Sequence, residues 1–228
     1  MECAEFFNPM YGLVVRLLGT TGMRVGELAG LNIGDVHILG SRGYLDVHRT
    51  YDARYGLSES PKTDRSNCKV TLVPNVVPLL AAYLAEHPRL GESDAPLFMS
   101  RVVGGAYMDD LAIKLDASPR HVPSADERPF DPSRRFDGPA FYRRVWARAV
   151  QMAEVAPLRV HDMRHTAASF MLSSGMPITM VSRQLGHSST ATTDLIYGGL
   201  LRASLDCAVD QYGDWLARQD PSLRLRAQ

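Results

Sequence analysis

Apolar residues recur every three or four positions along most of the chain, which is the spacing of amphipathic helices. The pattern predicts helices over residues 9–18, 24–31, 75–86 and 141–156, two more over 162–174 and 177–185, and a C-terminal helix over about residues 200–218. Asp162 is a suitable N-terminal cap, and Pro177 suits a first helical turn. Gly175 and Gly186 then stop these two helices. We therefore expect most of the chain to be helical.

Two stretches alternate apolar and polar residues instead, which is the pattern of half-buried strands. They cover residues 43–52 and 67–74, and a turn-rich segment that contains Lys62 lies between them. We expect a small antiparallel sheet with Lys62 at the tip of its hairpin. The predicted fold class is therefore α+β, mostly helical with a small antiparallel sheet.

Residues 99–139 interrupt this order with a long segment that is rich in proline and charged residues. Segments of this kind are typically loops, so we expect a loop insertion there. A chain of 228 residues with 45% hydrophobic residues can bury a full core. We therefore expect one globular domain over residues 1–228.

The composition excludes several classes of protein. No apolar run approaches the roughly 20 residues that a membrane helix needs. Cys3, Cys68 and Cys207 form neither a close pair nor a metal-binding spacing, which favours a reducing cytoplasm and no metal. The formal net charge is zero, so the overall composition does not indicate a nucleic-acid binder, and any basic DNA-binding surface has to come from arginines gathered on one face.

Residues 161–197 concentrate side chains that suit phosphate chemistry, with three histidines, two arginines and one tyrosine in 37 residues. Arginine binds phosphate oxygens bidentately and keeps its charge. In the predicted helix from Asp162, apolar residues at helical spacing are expected to face inward, namely Met163, Ala167, Phe170 and Met171. His161, Arg164 and His165 then project from the start of this helix. Tyr197 is expected on a third, short helical segment.

Five short motifs resemble the successive signature boxes of the tyrosine recombinases, the phage integrase family. They are TGMRVGEL (21–28), SPKT (60–63), HDMRHT (161–166), LGHSS (185–189) and DLIYGGL (194–200), and they occur in the family's order and spacing. The resemblance implies the catalytic-domain fold of DNA breaking-rejoining enzymes. It also implies a site-specific DNA recombinase that needs no metal, cofactor or ATP. One departure is Gly199, where many relatives carry a histidine.

The resemblance assigns the nucleophile and its proton acceptor. Tyr197 corresponds to the residue that attacks a DNA phosphorus and forms a 3′-phosphotyrosyl link. His161 is expected to assist proton transfer at Tyr197, whose pKa is expected to be lowered by nearby positive charge. His165 also matches the box, but we expect it to be a supporting or core histidine.

The resemblance also assigns the groups that act on the phosphate. Arg24 and Arg164 correspond to the arginines that clamp the non-bridging oxygens, and His187 to a further hydrogen-bond donor. Lys62 corresponds to the general acid that protonates the departing 5′-oxygen. Without the resemblance, an exposed Arg24 paired with Glu27 and a solvated Lys62 are the ordinary expectations for such positions.

The expected partner is a double-stranded DNA recombination site, in the cytoplasm of a bacterium or of a phage-infected cell and away from membranes. The family's assembly implies a homotetramer on DNA and mainly monomer without it, with the C-terminal helix docked in a neighbouring subunit. Only 23 residues precede Arg24, so the family's N-terminal DNA-binding domain is expected to be absent from this chain.

Three alternatives stay open at this point. A type IB topoisomerase shares the same chemistry, and an inactive DNA-binding accessory protein could share the fold. The spacing of His161 and His165 is also that of zinc metalloproteases, with His187 as a third ligand. Asp162 stands where that motif has glutamate, and Arg164 would place a positive charge between the ligands, which disfavours zinc.

Overall fold

The computed structural model describes residues 2–59, 68–101, 129–187 and 189–219. The helices are α1 (Glu2–Glu5), α2 (Pro9–Thr21), α3 (Val25–Gly30), α4 (Val77–Ala85), α5 (Gly138–Phe141), α6 (Ala147–Met152), α7 (Asp162–Ser173), α8 (Ile178–Leu185) and α9 (Thr190–Gln219). A π-helical stretch, Tyr142–Trp146, joins α5 to α6. The strands are β1 (Val36–Leu39), β2 (Arg42–Val47), β3 (Arg49–Asp52), β4 (Gly56–Glu59), β5 (Cys68–Thr71), β6 (Met99–Arg101) and β7 (Phe130–Arg135). The predicted fold class, mostly helical with small antiparallel sheets, is confirmed.

Local sequence signals place both ends of α2. The Asn8 side chain accepts a hydrogen bond from the Met10 backbone N–H at 2.9 Å, and Pro9 occupies the first helical position. Gly22 ends the helix in the left-handed conformation, with φ of 71°. The helix is buried along most of its length, so it forms the centre of the larger hydrophobic cluster.

The predicted sheet is present, but with more strands than the alternation indicated. β1, β2 and β5 form an antiparallel sheet in that order, in which Leu45 pairs with Val70. The predicted strand over residues 43–52 is divided at His48 into β2 and β3. β3 pairs with β4, which lies in the stretch expected to be turns and is mostly exposed. An exposed strand buries no apolar side chain in alternate positions, so its sequence carries no strand pattern.

A second, smaller hydrophobic cluster joins α7, α8 and α9. Its buried members are Ala167, Ala168, Met171, Leu172, Val181, Leu185 and Tyr197. Phe170 was expected to face inward but is 68% exposed. Ala167, Ala168, Met171 and Leu172 occupy the buried side of α7, and Phe170 points from the opposite side. Met163 packs against the larger cluster and so connects α7 to the rest of the domain.

The C-terminal region is one helix, whereas a short segment around Tyr197 and a separate helix over 200–218 were predicted. α9 is continuous over 30 residues and includes Gly198 and Gly199. Each glycine costs a helix only about 1 kcal/mol relative to alanine, and helix propagation is cooperative, so two glycines need not end it.

The predicted loop over residues 99–139 is not a loop at its ends. β6 and β7 pair antiparallel, with Arg101 opposite Phe130, and helix α5 begins at Gly138. Residues 102–128, in the middle of the predicted insertion, lie outside the described residues. Within the described part of the chain, no helix is both long and apolar enough to cross a membrane.

Candidate active site

Arg164 lies at the junction of the two hydrophobic clusters and is buried, with 5% of its surface exposed. Its Nη1 donates to the Gly22 carbonyl at 2.7 Å, and its Nη2 donates to the Leu185 carbonyl at 2.7 Å. Burial lowers the pKa of Arg164, and the charge of Arg24 lowers it further. The two carbonyls orient the guanidinium but do not neutralise it, so its charge remains available to an anion.

Both carbonyls that hold Arg164 belong to left-handed helix ends. Gly22 follows α2 and supplies its own carbonyl, and Leu185 supplies its carbonyl immediately before Gly186, whose φ is 68°. A Cβ atom added to Gly22 would lie 2.4 Å from Leu185 Cδ2. Glycine is therefore strongly favoured at position 22, both by the backbone conformation and by the close packing of α8 on this turn.

Arg24 is the residue before α3, and its side chain is about half exposed, at 49%. Its Nη1 lies 2.7 Å from Glu27 Oε1, and its backbone N–H donates to Glu27 Oε2 at 2.7 Å. Glu27 therefore fixes both the start of α3 and one edge of the guanidinium. The charge of Arg24 lowers the pKa values of Arg164, His161 and His187, which places all four groups in one electrostatic neighbourhood.

His187 follows the glycine that ends α8. Its Nδ1 lies 2.8 Å from the hydroxyl of Thr193, which is fully buried at the start of α9. Burial lowers the pKa of His187, as do the charges of Arg164 and Arg24. The imidazole is therefore neutral near pH 7, and Thr193 fixes the orientation of its ring. Thr193 was not predicted as a site residue, because no motif or spacing in the sequence distinguishes it.

Tyr197 is buried on α9, with 5% of its surface exposed, and its hydroxyl lies 2.8 Å from Nδ1 of His165. The expectation that nearby positive charge lowers the pKa of Tyr197 was wrong. Burial raises the pKa of Tyr197, and the opposing effect of Arg164 is smaller. The partner of the hydroxyl is His165, which was expected to be only a supporting residue, rather than His161.

His161 lies beside this pair. Its ring is perpendicular to that of His165, with 5.3 Å between the ring centroids. Partial burial lowers the pKa of His161, and the neighbouring His165 and Arg164 lower it further. His161 is therefore a neutral neighbour of the His165–Tyr197 pair.

Asp162 does not cap α7 as expected. It is the first residue of the helix, and its carboxylate accepts hydrogen bonds from the backbone N–H of Arg159 at 2.8 Å and from the Arg159 guanidinium. These bonds lower the pKa of Asp162 to about 2. Asp162 therefore fixes the turn that leads into α7 and places His161 at the helix start.

The structure thus brings together five of the six predicted site residues, namely Arg24, His161, Arg164, His187 and Tyr197. Lys62 lies outside the described residues. Among the described residues, no group of three or more His, Cys, Asp or Glu side chains is arranged to hold a metal ion, so the zinc alternative gains no ligand set there. A buried phenol with a histidine on its hydroxyl, next to an anchored arginine, is arranged for nucleophilic attack on an anion.

Comparisons with known proteins show the family and the fold of the chain. Residues 8–201 match the model of the phage integrase family. The tyrosine recombinase XerC of Corynebacterium efficiens is 28% identical over 182 residues, which is 80% of this chain and 44% of that protein. The putative prophage phiRv2 integrase of Mycobacterium tuberculosis is 26% identical over 78% of this chain and 40% of its own length. The chain therefore spans less than half the length of these relatives.

Solved structures share the fold. The XerA recombinase superimposes with a TM-score of 0.58 at 24% identity, over 92% of this chain and 59% of that one. The Tn1549 transposon integrase, solved in complex with a circular intermediate DNA, superimposes with a TM-score of 0.59 at 17% identity, over 87% of this chain and 59% of that one.

Proposed function

The chain belongs to the phage integrase family, and we propose that it is the catalytic part of a site-specific DNA recombinase that cuts and rejoins strands through a 3′-phosphotyrosyl intermediate. The observation that carries the proposal is the 2.8 Å contact between the buried Tyr197 hydroxyl and His165, next to the anchored guanidinium of Arg164. A phenol, an imidazole and a buried guanidinium that meet at one place are the groups that nucleophilic attack on a phosphate needs.

Tyr197 is the proposed nucleophile. Its oxygen forms a bond to the scissile phosphorus, the bond from phosphorus to the 5′-oxygen breaks, and the phenolic proton passes to His165. A base is needed because burial raises the pKa of Tyr197, so very little phenolate exists near neutral pH. His165 therefore takes the role that the resemblance gave to His161, and His161 becomes the second histidine beside it.

Arg164 and Arg24 are the proposed ligands of the non-bridging oxygens, and His187 is the proposed additional donor. Arg164 is fixed by two backbone carbonyls, so little reorganisation is needed when charge develops on the phosphate. Lys62 stays the proposed general acid for the 5′-oxygen, on the resemblance alone. Attack by a 5′-hydroxyl from another strand on the phosphotyrosine then restores the phosphodiester, so the bond energy is kept and no ATP or cofactor is needed.

Double-stranded DNA is the proposed partner. The XerH recombinase has been solved bound to its difH substrate, and the Tn1549 integrase with a circular intermediate DNA. We further propose a homotetramer on DNA and mainly monomer without it. Support comes from the end of α9, where the rings of Tyr212 and Trp215 stack with 6.2 Å between their centroids and remain 60% and 49% exposed, since an exposed apolar patch is typical of an interaction surface. The relatives are bacterial and prophage proteins, so we place this activity in a bacterial cytoplasm.

Suicide-substrate trapping tests the proposal. The chain is incubated with a pool of nicked duplexes whose sequence around the nick is randomised, so that cleavage releases a short strand and leaves the covalent adduct. We expect an SDS-resistant protein–DNA band that Tyr197→Phe abolishes and that Tyr55→Phe, a control at a tyrosine that is 82% exposed, preserves. A band that survives Tyr197→Phe would overturn the assignment of the nucleophile.

A second assay separates the proposal from the topoisomerase alternative. A type IB topoisomerase relaxes supercoiled plasmid of any sequence, whereas a recombinase exchanges strands between two copies of a selected site. The sequence enriched in the trapped adducts supplies that site. Relaxation of plasmids that lack the enriched sequence, without strand exchange at it, would favour the topoisomerase.

A further inference from the structure

Helix α8 is held against the edge of the three-stranded sheet by the side chain of Gln184. Its Oε1 accepts from the Thr71 backbone N–H at 3.1 Å, and its Nε2 donates to the Thr71 carbonyl at 2.8 Å. One residue earlier, the Arg183 carbonyl accepts from the Cys68 thiol at 3.1 Å. These contacts join residues that are more than 100 positions apart in the sequence.

The side-chain amide of Gln184 bonds the edge of β5 in the way that the backbone of a further strand would. Among the described strands, β5 lies at the edge of its sheet and pairs with β2 alone, and the Leu72 N–H donates inward to the Gly43 carbonyl at 2.9 Å. Backbone groups alternate in direction along an antiparallel strand, so the N–H and carbonyl of Thr71 point outward at the edge. A primary amide carries one donor and one acceptor side by side, as a peptide group does, and it satisfies both.

The two hydrogen bonds between Gln184 and Thr71 form a clamp that connects the two hydrophobic clusters next to the active site. β5 belongs to the larger hydrophobic cluster through Val70, and α8 belongs to the smaller cluster through Val181 and Leu185. Gln184 immediately precedes Leu185, whose carbonyl holds Nη2 of Arg164. A shift of the last turn of α8 along the sheet edge therefore moves one of the two oxygen atoms that aim the guanidinium.

We propose that Gln184 is a positioning residue for Arg164, which fixes the last turn of α8 to β5 and thereby holds the guanidinium in register with the scissile phosphate. This inference rests on the proposed recombinase function. Gln184 itself touches no reacting atom. Its removal is therefore expected to slow the chemical step without weakening DNA binding.

The test is Gln184→Met, which keeps the length of the side chain and removes both hydrogen bonds. Displacement of a catalytic group by about 1 Å can cost on the order of 10²-fold, so we expect adduct formation at saturating DNA to be about 10- to 100-fold slower. DNA affinity should change by less than about 3-fold, because the phosphate contacts that dominate affinity are kept. Gln151→Met, at an exposed glutamine of α6, is the matched control and should be neutral.

A modified substrate then distinguishes positioning from a general loss of structure. A methylphosphonate at the scissile position replaces one charged oxygen by methyl, so the transition state depends less on arginine. The defects of Gln184→Met and Arg164→Ala, each relative to wild type, should both shrink on this substrate, whereas that of His165→Ala should not. An unchanged Gln184→Met defect, or a defect in affinity alone, would overturn the inference.

A second variant approaches the clamp from the strand. Thr71→Pro removes the outward N–H, and proline is tolerated at an edge position whose N–H is not used in the sheet. It should reproduce a smaller version of the same defect with the same response to methylphosphonate, and full wild-type rates would contradict the inference. Failure of the proposed function can be distinguished from failure of this inference alone, because wild type would then form no Tyr197 adduct at all. The inference would be refuted in that case too.

Discussion

His165→Ala is expected to slow adduct formation more than His161→Ala, although both residues lie at the start of α7. The Tyr197 hydroxyl is 2.8 Å from Nδ1 of His165, whereas the ring of His161 contacts the ring of His165, with 5.3 Å between the centroids. A tyrosine with the ordinary pKa of about 10 is less than about 1% ionised at pH 7.5, and burial raises the pKa of Tyr197 further. Attack without a base must rely on that fraction.

The expected loss for His165→Ala is therefore about 10²- to 10⁴-fold, the usual contribution of general base catalysis. The rate of adduct formation is measured in a single turnover on a suicide substrate, at saturating protein. The variant should also gain about 10-fold in rate per pH unit between about pH 7 and 9, because each unit raises the phenolate fraction tenfold below the pKa of Tyr197. Wild type should respond less over this range.

Added imidazole offers a further check, because it can enter the space left by the deleted ring and accept the proton. It should restore part of the rate of His165→Ala and leave that of His161→Ala unchanged. A larger loss in His161→Ala, or a His165→Ala rate that does not rise with pH, would show that the observed hydrogen bond is not the route of the proton.

Three further outcomes are expected. Gly22→Ala should lower the thermal stability by more than Gly40→Ala. Both positions have positive φ, which costs alanine about 1–2 kcal/mol, but of the two only Gly22 has an atom in the way of a Cβ, Leu185 Cδ2 at 2.4 Å. Equal shifts in melting temperature would contradict this. Lys62→Ala should recover most of its activity on a substrate with sulfur at the bridging 5′ position, whereas Arg164→Ala should not recover. The reason is that a thiolate, whose thiol has a pKa of about 8.5, leaves without the acid that an alkoxide requires. Equal defects of Lys62→Ala on both substrates would show that Lys62 is not the general acid. The chain alone should bind DNA weakly, with an affinity that falls steeply with salt, as measured by fluorescence anisotropy; nanomolar, sequence-specific binding at physiological salt would refute this.

Much of the fold follows from signals that act within a few residues. Asn8 with Pro9 begins α2 and Gly22 ends it, while Pro177 and Gly186 bound α8, and of these signals Pro177 and Gly186 were predicted from the sequence. Each signal is local, since a cap or a left-handed glycine satisfies or redirects the backbone of its own turn. The resemblance of five motifs to the phage integrase family likewise predicted that Arg24, Arg164, His187 and Tyr197 belong to one site.

Tertiary packing alone decided which groups touch. The hydroxyl of Tyr197 lies at hydrogen-bond distance from His165 rather than His161, and His187 lies at that distance from Thr193. The packing of α7, α8 and α9 in the smaller cluster determines which face of each helix contacts its neighbours. The contact between Gln184 and Thr71 spans 113 residues. Periodicity states which side of a helix is apolar, but the partner across an interface depends on the position and rotation of both elements. Those are set by the packing of the whole domain, and no local pattern encodes them.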